Sequence, residues 1–134
     1  MVEQANASWA LEWNENDRAE ISGVGDLDLL LERLDREAVQ HPIVVELIDP
    51  AGAALSVGLG REITVLNYVG PTQDPPYFQS VGDAGSEPVV FFYRGEWSEY
   101  PPDAAIPKPA GLRALREFFD GAGELPRSVR WAEV

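Results

Sequence analysis

The chain contains no cysteine. Disulfides, thiol nucleophiles, thiolate zinc sites and iron–sulfur clusters are therefore excluded, and the composition suits a reducing compartment. Histidine is almost as scarce. His41, the only one, has no second His or Cys with which to share a metal, so a structural or surface role is expected of it. The only lysine, Lys108, stands between two prolines, so no phosphate-binding loop lysine exists. Long apolar runs are missing too. The longest, Val89 to Tyr93, is strand-sized, far below the roughly 18 residues of a membrane helix. Met1-Val2-Glu3-Gln4 lacks the basic and apolar regions of a signal peptide, which points to a cytoplasmic protein.

Positive charge is the other deficit. Ten Lys and Arg face 23 Asp and Glu, a net charge of −13 over 134 residues. A phosphate backbone or an anionic membrane would repel such a chain. A basic partner would be captured quickly and in a salt-dependent way, although acidity also serves solubility alone. The acids are uneven: residues 1–50 hold 12 of them against three Arg, about −9.

What remains is enough for a packed core, since 45% of residues are hydrophobic and four are Trp. Ala7, Trp9, Leu11 and Trp13 alternate as in a half-buried strand, and polar Asn14 to Glu20 reads as a loop. Asp26 is placed to cap a helix running to about Gln40, with Leu27, Leu30, Leu31, Leu34 and Ala38 on one stripe. Pro42 stops it. Three strands separated by tight turns follow, at Ile43–Asp49, Ala54–Leu59 and Ile63–Val69, and imply an antiparallel meander. Gly58 and Gly60 suggest bulges or close approach by a neighbour. Tyr77–Val81 is a short strand. Val89–Tyr93, apolar on both faces, is expected at the centre of the sheet. A second helix spans about Pro109 to Asp120, with Leu112, Leu115, Phe118 and Phe119 inward and Gly121 at its end. Ser128–Glu133 closes the chain as a strand. The order predicts an α+β domain: an antiparallel sheet, built from a meander and a central aromatic strand, with about two helices packed on it.

Enzyme signatures are nearly absent. There is no G-x-S-x-G elbow, and Gly58-Leu59-Gly60 joins two strands rather than a strand and a helix. The carboxylate pairs Glu96/Glu99 and Asp26/Asp28 would serve acid–base chemistry only inside a pocket that raises one pKa. No loop carries the spaced oxygen ligands of a calcium site. No catalytic residue, metal ligand or cofactor is therefore assigned.

The informative segment is Arg94-Gly95-Glu96-Trp97-Ser98-Glu99-Tyr100-Pro101. Aromatics give anchoring area at low entropic cost, and carboxylates pair with a partner's Arg or Lys. Glu96, Trp97, Glu99 and Tyr100 are candidate partner contacts. The alternative is that Trp97 and Tyr100 pack on the second helix while the glutamates face water. Asp74 and Tyr77, in the loop Gln73-Asp74-Pro75-Pro76-Tyr77, are secondary candidates.

From about residue 43 onward the chain resembles a known family. The features are Gly52, Leu55-Ser56-Val57-Gly58-Leu59-Gly60, Val65-Leu66-Asn67-Tyr68, the strand Val89 to Tyr93, and Gly95-Glu96-Trp97-Ser98-Glu99-Tyr100-Pro101. Ile106-Pro107, the helix Ala114 to Phe119, Gly123 to Pro126 and Val129-Arg130-Trp131 complete the set. In this order they are similar to the Imm-one type immunity proteins of bacterial polymorphic toxin systems. The length suits one immunity-protein-like domain over residues 1–134, with a strand and loop at 1–24, although the first 40 residues match the family less well. The resemblance implies a cytoplasmic antitoxin encoded beside a toxin gene, often that of a nucleic-acid deaminase. Such a protein binds the toxin domain, one to one, and blocks its active site without chemistry of its own. A zinc-dependent deaminase cleft must admit nucleic acid and is basic, which an acidic inhibitor matches. A nuclease or ADP-ribosyltransferase toxin, or a role as secretion chaperone or adaptor, are the alternatives.

Overall fold

The computed structural model describes residues 8–134. Ala7, at the start of the expected first strand, lies outside the described residues. The chain runs β1 (Trp9–Trp13), β2 (Asp17–Ile21), α1 (Val24–Glu37), β3 (Ile43–Ile48), β4 (Ala54–Leu59), β5 (Ile63–Thr64), β6 (Leu66–Val69), β7 (Tyr77–Val81), β8 (Val89–Tyr93) and β9 (Glu96–Tyr100). A short 3-10 helix (Pro102–Ala104), β10 (Ile106–Pro107), α2 (Lys108–Asp120) and β11 (Arg130–Glu133) complete it. The main sheet has the order β11-β7-β6-β4-β3-β1-β2, with β8 beside β3 and β9 beside β8. All pairs are antiparallel except β3 with β8, which meet in parallel at Ile43 and Phe92. This is the expected α+β architecture, with the meander β3-β4-β6-β7 as its body.

Strand alternation gives the sheet two unlike faces. Leu11, Val45, Leu47, Leu55, Val57, Leu59 and Leu66 form one core cluster with Leu27, Leu31 and Leu34 of α1 and with Ala114, Leu115 and Phe118 of α2. Both helices thus bury their apolar stripes on the same face. Trp9 seals this layer, packing edge-on against Phe118 at 5.5 Å and tilted against Phe119 at 4.7 Å. Among the described residues neither α1 nor α2 covers the other face. Two rungs cross it: Ala10–Ile48–Ala54–Val69–Tyr77 and Glu12–Glu46–Ser56–Asn67–Gln79. Ile48, Val69 and Tyr77 apart, these side chains are small or polar.

Several expectations are corrected. Asn14 to Glu20 is not all loop, because Asp17–Ile21 forms the edge strand β2, with Arg18 opposite Glu12. An edge strand needs only one apolar residue to dock, here Ile21, so its polar composition hid it. Ile63–Val69 is broken at Val65. Ser80, 2% exposed, receives the Leu66 amide at 3.0 Å and donates to Ala104 O at 2.7 Å, which frees β5 to pair with β10. Asp26 lies inside the first turn of α1 rather than capping it. The N-cap is Gly23, and Asp26 accepts from the Ser22 amide and hydroxyl. α1 ends at Glu37 rather than Gln40. At the end of α2 it is Ala122 (φ 56°) and Gly123 (φ 87°), not Gly121 (φ −94°), that take left-handed backbone.

The largest correction concerns β8. It is not at the centre of the sheet, which β3 and β4 occupy. β1 pairs with β3 only as far as Val45, and β8 joins the same strand beyond it, at Ile43. The β8–β9 hairpin therefore hangs from a corner. Its two apolar faces have separate uses. Phe91, fully buried, packs with Val44, Val89 and Ala105 in a second small core. A Cβ on Gly58 would stand 2.5 Å from the Phe91 ring, so glycine is required there. On the other side Phe92 stacks against His41, centroids 3.9 Å apart.

Candidate partner-binding surface

The hairpin turn is Arg94-Gly95, with φ of 50° and 83°. Two successive left-handed residues make the tight turn whose twist matches paired strands. It fixes the register Val89–Tyr100, Phe91–Ser98, Phe92–Trp97 and Tyr93–Glu96. Glu96, Ser98 and Tyr100 thereby share a side with Phe91 and Tyr93, while Trp97 and Glu99 share the opposite side with Phe92. Among the described residues β9 pairs with no strand but β8, so its outer edge is open.

The sequence candidates thus divide. Trp97 is 67% exposed and meets Phe92 edge-on at 6.0 Å. Tyr100 is half-buried, with its ring 6.3 Å from Phe91. Both rings pack within the hairpin and its small core, and α2 receives neither. Glu96 and Glu99 are exposed on opposite sides of the ribbon. Asp74 is exposed in its loop, and Tyr77, 41% exposed, donates its hydroxyl to Gln73 O at 3.3 Å. Tyr77 and Tyr100 come together: with Glu46, Ser56, Asn67 and Tyr93 they line a pocket of about 300 Å³ between hairpin and open face.

Four neighbouring charged residues were absent from the sequence candidates. Arg94 donates to Glu12 at 3.0 Å and to Glu46 at 3.1 Å, and Arg18 also pairs with Glu12. Hydrogen bonds to Tyr93 and Glu12 hold the Arg94 pKa above its ordinary value. Burial, foremost, raises the Tyr93 and Tyr100 pKa values, so both rings stay neutral at physiological pH. The signal for Glu46 was legible, since it is the one charge within the apolar strand Ile43–Ile48. Arg94 gave no such signal, because its partners lie far away along the chain.

Two further ion pairs lie beside the helices. A groove of about 470 Å³ between the helices has Leu27, Leu31 and Leu112 in its lining. Asp28–Arg116 (3.2 Å) and Asp35–Lys108 (2.6 Å) pair within it. Asp26 is bound to Ser22, so it does not converge with Asp28. Among the described residues no group of three His, Cys, Asp or Glu side chains is placed to hold a metal, and no helix is long and apolar enough to cross a membrane.

The family model described as Immunity protein Imm1 matches residues 15–133. The chain belongs to this family. The match begins in the turn before β2 and ends in β11, so β2 and α1, which lie ahead of the resemblance read from residue 43, are part of the Imm1 domain. No curated protein matches the chain. An Imm1 protein is an immunity protein, which acts against a toxin by binding it. Its partner surface is thus expected among exposed side chains rather than in a catalytic pocket.

Proposed function

We propose that this immunity protein protects the cytoplasm of its producer by binding a secreted nucleic-acid deaminase toxin one to one and occluding its active site, without catalysis or cofactor. The β8–β9 hairpin is the contact: Trp97 as anchor, Glu96, Glu99 and Tyr100 around it, with Asp74 and Tyr77 behind. The carrying observation is Trp97, 67% exposed on an open strand edge between two exposed glutamates. A large exposed ring offers apolar area that a partner can bury, and Trp is enriched in binding hot spots. The charge of −13 supports a basic target cleft and supplies long-range steering.

The test is co-expression with the toxin domain encoded in the adjacent reading frame, a deaminase being recognisable by H-x-E and C-x-x-C. Rescue of growth and co-purification are expected. Glu96→Lys with Glu99→Lys should weaken binding and restore toxicity. Unchanged affinity in the single and double variants would sink the contact assignment. Rescue from a nuclease domain but not from a deaminase would redirect the toxin class.

A further inference from the structure

The tyrosine pocket has a chemistry that the exposed hairpin edge does not. Tyr77, Tyr93 and Tyr100 supply aromatic walls, and Ser56 and Asn67 line it alongside a single charged side chain, Glu46. About 300 Å³ is room enough for one amino-acid side chain. No Lys or Arg belongs to the lining. At its rim stands Arg94, 43% exposed, donating to Oε1 of Glu46 at 3.1 Å while its guanidinium carbon lies 5.8 Å from the Tyr93 ring centroid. Arg94 shows in miniature what this carboxylate and this ring accept. It is divided between Glu46 and Glu12, and Glu12 has Arg18 as well. Releasing Glu46 therefore leaves Glu12 and both arginines paired.

We propose that the pocket receives an arginine side chain of the partner protein, which stacks among the tyrosines and takes over Glu46 while Arg94 stays with Glu12. Charge complementarity selects the occupant: the only charge in the pocket lining is the Glu46 carboxylate, framed by aromatic rings in a chain of −13, and it already accepts one guanidinium, that of Arg94. Planarity selects arginine over lysine, since a guanidinium both stacks on a ring and matches a carboxylate. The assignment rests on the reading that this side of the molecule meets the toxin, and it names the chemistry of one contact there.

The probe is N-acetyl-arginine methylamide, titrated into the full chain and followed by the NMR signals of the tyrosine rings. Its citrulline isostere, of nearly the same shape without the charge, is the control. Saturable shifts of Tyr77, Tyr93 and Tyr100 are expected, with arginine binding about tenfold tighter than citrulline. Glu46→Gln should abolish that preference, and Arg94→Ala, which removes the internal competitor, should strengthen arginine binding. Tyr77→Leu alters an exposed wall with little risk to folding and should weaken binding about threefold. Equal binding of arginine and citrulline, or no saturable shift in the folded wild-type chain, would overturn the proposal. The measurement needs no toxin. Failure of the wild-type chain to rescue cells would strike the deaminase reading alone, and rescue without probe binding would strike the pocket alone.

Discussion

The two faces of the sheet obey different rules although the same strands build both. On the helix-covered face nearly every position is Leu, Val or Ile, and Phe118, Leu47 and Leu55 are wholly buried. On the open face the same strands carry Ala, Ser, Gly, Glu and Asn beside Val44, Ile48 and Val69, and Tyr77 and the hairpin that folds toward it bring large rings to that side. One face is selected for packing and the other for access. Stability should therefore respond to substitution on the first, and partner binding on the second and on the hairpin.

The strongest way to break that contrast is Phe118→Ala. It removes a ring touching Trp9 and Tyr68 and should cost about 3–5 kcal/mol, read by urea unfolding. A cost below about 1 kcal/mol would deny that this face is the core.

Trp97→Ala is the counterpart. Toxin affinity should fall by about 2 kcal/mol or more, measured by calorimetry, while the unfolding midpoint barely moves. Equal losses of binding and stability would make Trp97 a structural residue and blur the distinction.

Gly58→Ala tests the joint between the regions. The added methyl would meet the Phe91 ring at 2.5 Å and should cost about 1–3 kcal/mol, with Phe91→Leu in the same chain restoring part of it.

The smallest expected effect lies far from the hairpin. Burial tends to raise the Glu117 pKa, but amide donations from Arg127 (2.7 Å) and Ser128 (3.2 Å) outweigh it, and the net shift is downward. A carboxylate with a depressed folded pKa stabilises the fold above its unfolded pKa and loses that contribution as pH falls through the folded one. Stability should decline below about pH 4.5. Glu117→Gln should cost about 1 kcal/mol at neutral pH and flatten that acid limb.

Much of this was readable in the chain. Periodicity located both helices because their stripes, Leu27–Leu31–Leu34 and Ala114–Leu115–Phe118, face a single core. The glycines announced themselves too: Gly58 lies under Phe91, and a Cβ on Gly60 would meet Ala38 O at 2.3 Å. Two of the misreadings share one cause. β2 looked like a loop and β8 like a central strand because side-chain pattern reports how many faces are covered, not what covers them. Phe91 and Phe92 are both sheltered, one under the sheet's open face and one between His41 and Trp97, without being at the centre.

Composition and pattern alone determined an acidic, cysteine-free α+β chain with two amphipathic helices and an acidic aromatic segment near its end. These properties are set by residue type and by spacing within one element. Tertiary structure alone decided that Arg94 joins Glu12 and Glu46. It also decided that Tyr77 meets Tyr93 and Tyr100 around one pocket. Those relations join residues 12, 46, 77, 94 and 100. Only strand order and register bring such distant positions together, and neither is written in any local stretch of the chain.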